Sequence, residues 1–154
     1  MNTTELIFSG ANLFVLPFWA LMILLPRWSV TQKVMASKLP FVLLASLYVY
    51  LIAGTITSES AAALANPKLA DIARFFGDER AAATGWVHFL TLDLFAGRWV
   101  YLEGQRTGVW TLHSLLFCLF AGPLGLLLHI LTAWVAQGWR SKAAPEETVA
   151  PSGS

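Results

Sequence analysis

Four apolar runs, each long enough to cross a bilayer, occupy most of this chain of 154 residues. They lie at about residues 7–26, 39–56, 82–102 and 112–136, with polar connectors between them. A helix needs about 20 mostly apolar residues to cross roughly 30 Å of hydrocarbon. Inside lipid the backbone must satisfy its own hydrogen bonds, which leaves helices or closed barrels. The runs predict an all-α fold: an integral membrane bundle of about four transmembrane helices, with both termini on one side. The composition agrees, being 56% hydrophobic and only 12% charged, where soluble domains carry about 25% charged residues. A single domain over 1–139 follows, with no room for an aqueous core. Residues 140–154, RSKAAPEETVAPSGS, predict a disordered polar tail.

The first run, IFSGANLFVLPFWALMILLP, contains no ionisable group. No basic stretch precedes Ile7 and no small-residue cleavage site follows the run, so it reads as a membrane span rather than a signal peptide. Pro17 predicts a kink within it. The connector RWSVTQKVMASK carries Arg27, Lys33 and Lys38 and suits a short surface helix. Pro40 fits the first turn of the second helix, whose Tyr48 and Tyr50 hydroxyls need partners or an interface. Further on, LADIARFFGD spaces Leu69, Ile72 and Phe76 at helical intervals, with Asp71, Arg74 and Asp78 off that face. This predicts an interfacial amphipathic helix over about residues 63–76, between the second and third spans, its three apolar side chains inward and Gly77 closing it. An ordinary connector with one helical turn is the alternative. In the fourth run Gly122, Pro123 and Gly125 predict a bend or a close helix contact. Basic residues in the first connector favour its lying in the cytoplasm and the N-terminus outside, but Lys68, Arg74 and Arg80 nearly cancel that bias.

Several function classes drop out. A net charge of +1 gives no electrostatic case for nucleic acid. Cys118 is the single cysteine, so no intrachain disulfide forms, and it reads as a packing residue. His88, His113 and His129 lack metal-ligand spacing, and no CxxC or HxxxH occurs, so no metal is expected. Phosphate-cradling glycine motifs and GxSxG are absent too, which disfavours nucleotide chemistry and serine hydrolysis.

The chemistry sits in the third run, AAATGWVHFLTLDLFAGRWVYL. Asp93 falls about 16 Å into that run, near the midplane of a bilayer. A carboxylate there costs at least a few kcal/mol unless it faces protein or water. His88 is five positions earlier, about 140° around the helix, so direct contact is not expected. Trp86, Phe89, Asp93 and Gly97 share one face, where Gly97 would admit a neighbouring helix or a ligand. Arg98, Tyr101, Glu103 and Arg106 form a polar cluster at the far end. Each has a bland reading: Asp93 pairing with Tyr48, Tyr50 or Asn12 to lock the bundle, His88 in an interhelical hydrogen bond, Arg98 snorkelling to headgroups, Glu103 with Arg106 as an ion pair.

The segment GWVHFLTLDLFAGRWVYLEGQRTG, with its Trp-x-His-x4-Asp-Leu-Phe-Ala-x-Arg spacing, resembles the signature of the abscisic-acid-deficient-four-like family. The resemblance extends to LPFWALMILLPRWSVTQKVM and SLLFCLFAGPLGLLLHIL and covers most of the chain. These are small polytopic membrane proteins whose plant members are required for neoxanthin formation from violaxanthin. The chain shows no plastid transit peptide, so it looks like a bacterial member, multi-pass in an inner or photosynthetic membrane. The resemblance implies a carotenoid or isoprenoid epoxide isomerase working by acid–base chemistry without a cofactor. Asp93, His88 and Arg98 would be catalytic, and Trp86, Phe89, Tyr101 and Glu103 would contact the substrate. The alternative is a non-catalytic pigment- or lipid-binding protein, or an assembly partner of a carotenoid enzyme. Expected partners are membrane lipids, an apolar polyene or isoprenoid, and a second copy or an enzyme, but no nucleic acid.

Overall fold

The computed structural model describes residues 2–143 as eight helices, with no strand among the described residues. They are α1 (Thr3–Leu24), α2 (Ser29–Ala36), α3 (Leu39–Ala53), α4 (Ser58–Ala65), α5 (Leu69–Phe75), α6 (Glu79–Thr107), α7 (Leu112–Phe120) and α8 (Gly122–Ala143). Local chemistry sets the ends of the two central helices, α1 and α6. Asn2 and Glu5 form a reciprocal capping box at the start of α1. Asp78 accepts the Ala81 N–H at 2.9 Å to start α6, and Gly108, left-handed at φ 69°, ends it. Pro17 lies inside α1 without ending it.

α6 is the axis around which the others pack. α1 runs parallel to it: the contacts step from Asn2–Glu79 through Asn12–Trp86 to Pro26–Tyr101. Toward the Tyr101 end of that seam Gly97 receives the Trp19 indole so closely that a Cβ would overlap it, as expected of Gly97 from the sequence. α3 runs antiparallel, with Arg80 donating to the Tyr50 and Leu51 carbonyls at one end and Phe41 packing on Phe95 at 5.7 Å toward the other. The core between them is Ala11, Val15, Trp19, Met22, Leu44, Leu51, Val87, Leu94, Val100 and Tyr101.

The expected fourth span is not one helix. It breaks at Ala121 (φ −157°, ψ 89°), and α8 folds back along α7. His113 Nε2 and Thr132 Oγ1 are 2.8 Å apart, whereas a continuous helix would separate those positions by about 28 Å. The cause is local. A continued helix would set the Pro123 ring against the Leu119 carbonyl, and Pro123 has no N–H to bond it. At the first turn of a new helix the same proline is harmless. Gly125 then lets α8 lie directly on the α7 backbone, within contact of Cys118 and the Ser114 carbonyl. α8 leaves the turn in the same direction as α6, since Gly122 meets Asp93 and His129 meets Trp99. The N-terminus and the end of α8 therefore lie toward opposite ends of the bundle, not the same end.

Of the helices, α1 alone is long and apolar enough to cross a membrane by itself; α2 and α3 qualify only together, with a 43° bend between them. α6 has ample length, but Glu79, Arg80, Asp93, Arg98, Glu103 and Arg106 lower its hydropathy.

The connector between α3 and α6 also differs from expectation. One helix over 63–76 becomes two, α4 and α5, because Pro67 forces Asn66 out of helical geometry (φ −131°, ψ 75°). Neither has a buried residue, and Leu69 stands 87% exposed rather than inward. Phe76 touches Gly85 of α6 but remains exposed as well. Gly77 follows the cap residue and donates to the Arg74 carbonyl at 3.1 Å, without a left-handed turn. At the C-terminus α8 continues to Ala143, and residues 144–154 of the expected tail lie outside the described residues.

Candidate functional site

The α7–α8 turn is where the site is built. A helix start leaves backbone N–H groups without partners. At α8 the Ala121 carbonyl accepts from Leu124 and Gly125, and Pro123 has no N–H. That leaves the Gly122 N–H, and Asp93 of α6 takes it on Oδ1 at 3.1 Å. Asp93 thus serves α8 as an N-cap supplied from another helix, at the positive end of a 22-residue helix. Its expected structural partners are engaged elsewhere. Asn12 Oδ1 accepts the Trp86 Nε1–H at 2.9 Å, Tyr48 packs on His88 at 5.6 Å between ring centroids, and Tyr50 lies beneath the Arg80 guanidinium at 5.2 Å.

Beside this turn opens a cleft of about 620 Å³. Its walls are Trp86, Leu90, Phe89, Leu92 and Ala96 from α6 and Leu119, Phe120, Pro123 and Leu126 from the hairpin. Three hydrogen-bonding elements face this apolar space: Asp93, His88 and the Gly122 backbone. His88 and Asp93 do not bond each other; the cleft is what they share. Oδ2 of Asp93 has no hydrogen-bond partner among the described residues. The arrangement suits a mostly apolar ligand whose polar end group sits between a carboxylate and an imidazole.

The other sequence candidates lie outside the cleft. Arg98 donates from Nε to the Met35 carbonyl in the last turn of α2, and its guanidinium sits 5.8 Å over the Phe41 ring. It holds the α2–α3 corner against α6 rather than reaching for headgroups. Tyr101 is fully buried and donates to the Pro26 carbonyl at 2.8 Å, fixing the end of the α1 turn. Glu103 forms a two-pronged pair with Arg106 at 2.6 and 3.0 Å. Of the seven candidates, Asp93, His88, Trp86 and Phe89 come together. His129, read only as a residue inside a span, is fully buried edge-on to Trp99 at 5.5 Å.

Sequence reasoning missed Gly122 as a site residue. Gly122 and Pro123 were legible as a bend, but nothing local says that the bend would land on Asp93. The available signal was the pairing of one midplane acid with one helix break of similar depth.

The family model of the ABA DEFICIENT 4-like proteins matches residues 6–129. Protein ABA DEFICIENT 4, chloroplastic, from Arabidopsis thaliana is 36% identical over 140 residues, covering 86% of this chain. The chain spans 64% of that relative's length. No solved structure matches it. The matched region contains every residue that lines the cleft, Asp93, His88 and the Ala121–Gly122 turn among them, and the chain belongs to the ABA DEFICIENT 4-like family.

Proposed function

We propose that this protein is a membrane-embedded isomerase that binds a carotenoid or related isoprenoid epoxide in the cleft at the α7–α8 turn. The observation that carries this reading is the cleft itself: apolar walls around one imidazole and one carboxylate, the latter held in place by the Gly122 N–H. Opening an epoxide to a hydroxy-allene involves no net redox change. One group delivers a proton to the epoxide oxygen as the C–O bond breaks, and another removes a carbon-bound proton whose electron pair forms the new double bond. Asp93 and His88 divide those transfers. Neoxanthin formation, the role that the family resemblance implies for plant members, is a reaction of this type. A polyene dissolves in the bilayer, so it reaches the cleft from lipid.

The proposed membrane arrangement is three crossings, α1, α3 and α6, plus a hairpin. α7 enters from the C-terminal side of α6 and turns at mid-depth, and α8 returns to that side. Large apolar side chains exposed along all of these helices support it, Leu13, Val49, Phe120 and Trp134 among them. So does the turn, because irregular backbone at membrane depth needs protein partners, and Asp93 supplies one. α4 and α5 would lie at the opposite surface. A bacterial inner or photosynthetic membrane is the proposed location. Single cysteines placed at Thr3 and at Gln137 are expected to react with an impermeant thiol reagent from opposite faces of sealed vesicles. Cys118 is fully buried and stays silent. Labelling from one face would refute the three-crossing arrangement.

A second reading has its own support: the Asp93–Gly122 bond gives Asp93 a structural task, which suits a pigment-binding protein without turnover. Purified protein in lipid discs, mixed with violaxanthin, separates the two. The isomerase reading predicts time-dependent conversion to an allenic product. Stable binding without conversion would establish the pigment-binding reading instead.

A further inference from the structure

The fold sorts the charges of this chain to its two ends. Where α1 turns into α2 and α6 finishes, Arg27, Lys33 and Lys38 have no ion-pair partner among the described residues. Glu103 is the one acidic residue at that end among the described residues, and Arg106 already pairs with it. Positions 140 and 142 in the last turns of α8 add an arginine and a lysine to the same end. The opposite end holds Glu5, Glu59, Asp71, Asp78 and Glu79 against Lys68, Arg74 and Arg80. The hairpin creates this separation. Were α7 and α8 one crossing, positions 140 and 142 would lie with Lys68 and Arg74 instead.

A pocket of about 500 Å³ opens at the basic end, between the α1–α2 turn and the start of α7. Leu24, Trp28, Trp110 and Leu112 line it, and Arg27 lies among them; all five are exposed. The turn that carries Arg27 is pinned from inside. Buried Thr31 donates to the Leu25 carbonyl at 2.8 Å, and buried Tyr101 donates to that of Pro26 at 2.8 Å. On the other wall Trp110 stacks on His113 at 4.9 Å. Arginine is the side chain best suited to phosphate oxygens, and tryptophan settles at headgroup depth. A guanidinium with spare donors beside an apolar slot between two indoles matches a phosphate joined to acyl chains.

We propose that this pocket is a binding site for an anionic phospholipid of the phosphatidylglycerol type. The site presupposes the membrane-embedded bundle described above but not the chemistry of the cleft, which lies at the other end of α7. The lipid phosphate sits on Arg27, the indoles of Trp28 and Trp110 flank the glycerol, and an acyl chain follows Leu24 and Leu112. Phosphatidylcholine carries the same phosphate but brings a cation to an end that is already basic, so it binds less well.

The full chain, purified in detergent and offered equimolar phosphatidylglycerol and phosphatidylcholine, is to be weighed with its retained lipid by native mass spectrometry. Wild type is expected to retain phosphatidylglycerol about fivefold over phosphatidylcholine, the worth of one basic residue at a charged membrane surface. Arg27→Gln, at an exposed position, is expected to bring that ratio close to one with unchanged thermal unfolding. Leu24→Glu sets a like charge on the pocket wall, also at an exposed position, and is expected to do the same, so the result does not hang on one variant. The double change Lys33→Gln and Lys38→Gln leaves the pocket intact and is expected to keep most of the preference. Equal retention of the two lipids by wild type, or an undiminished preference in both pocket variants, would overturn the site. So would a preference lost only in the double lysine variant, which would mean diffuse attraction to a basic surface. A chain that stays monodisperse without detergent or lipid would overturn the membrane reading itself, and the site with it.

Discussion

Alanine in place of Gly122 is expected to cost the protein stability and activity together. The Gly122 backbone lies against Asp93: a Cβ there would overlap Oδ1, with Cγ at 3.0 Å and Cα at 3.1 Å. A flexible side-chain tip can yield, but the α6 backbone cannot. The hairpin turn must therefore retreat from α6. Overpacking of this kind costs about 1–3 kcal/mol. The retreat also parts the Gly122 N–H from its acceptor, which adds about 1–3 kcal/mol for each polar group left unpaired away from water. Unfolding in detergent is expected to show a loss of several kcal/mol, with product formation falling further than the loss of folded protein accounts for. Wild-type stability in Gly122→Ala would show that the contact between Asp93 and the turn is not part of the native packing.

What the sequence discloses about this fold follows from how local each cause is. The α1 helix, the α6 helix and its face of Trp86, Phe89, Asp93 and Gly97 are readable because apolar spacing and depth are properties of a single segment. Gly97 illustrates a correct inference from one residue: its missing side chain is what admits Trp19. The fourth run misleads because hydropathy is blind to direction. LHSLLFCLFAGPLGLLLHILTAWVA is as apolar folded back as it would be extended, and it takes tertiary contacts such as His113–Thr132 to distinguish the two. Pro123 signals a break but not its angle. The connector fails for a similar reason: Leu69, Ile72 and Phe76 have helical spacing, yet Pro67 splits the segment and Leu69 is left in the open. At the site, depth in the third run set Asp93 apart and spacing paired Glu103 with Arg106, but where Arg98 and Tyr101 go is decided by tertiary partners. Arg98 goes to a backbone carbonyl of α2 and Tyr101 to that of Pro26, while Asp93 and His88 are left facing the cleft.

The proposed chemistry depends on Asp93 exchanging a proton, and the structure makes that claim separable from the residue's role as a cap. Asparagine has nearly the shape of aspartate, and its amide oxygen can accept the Gly122 N–H as Oδ1 does now. Asp93→Asn therefore preserves the hairpin turn, with stability within about 1 kcal/mol of wild type, and leaves violaxanthin binding in place. The amide cannot deliver or remove a proton at the epoxide. Loss of a positioned acid or base lowers a rate by about 10²–10⁴-fold. Asp93→Leu, by contrast, removes the cap as well and is expected to destabilise the protein in the manner of Gly122→Ala. The most direct measurement is allenic product formed per unit of purified Asp93→Asn protein, beside wild type in the same lipid. The isomerase reading predicts at least about a hundredfold less product from a variant that folds and binds pigment normally; wild-type product from that variant would show that Asp93 holds the hairpin and performs no chemistry.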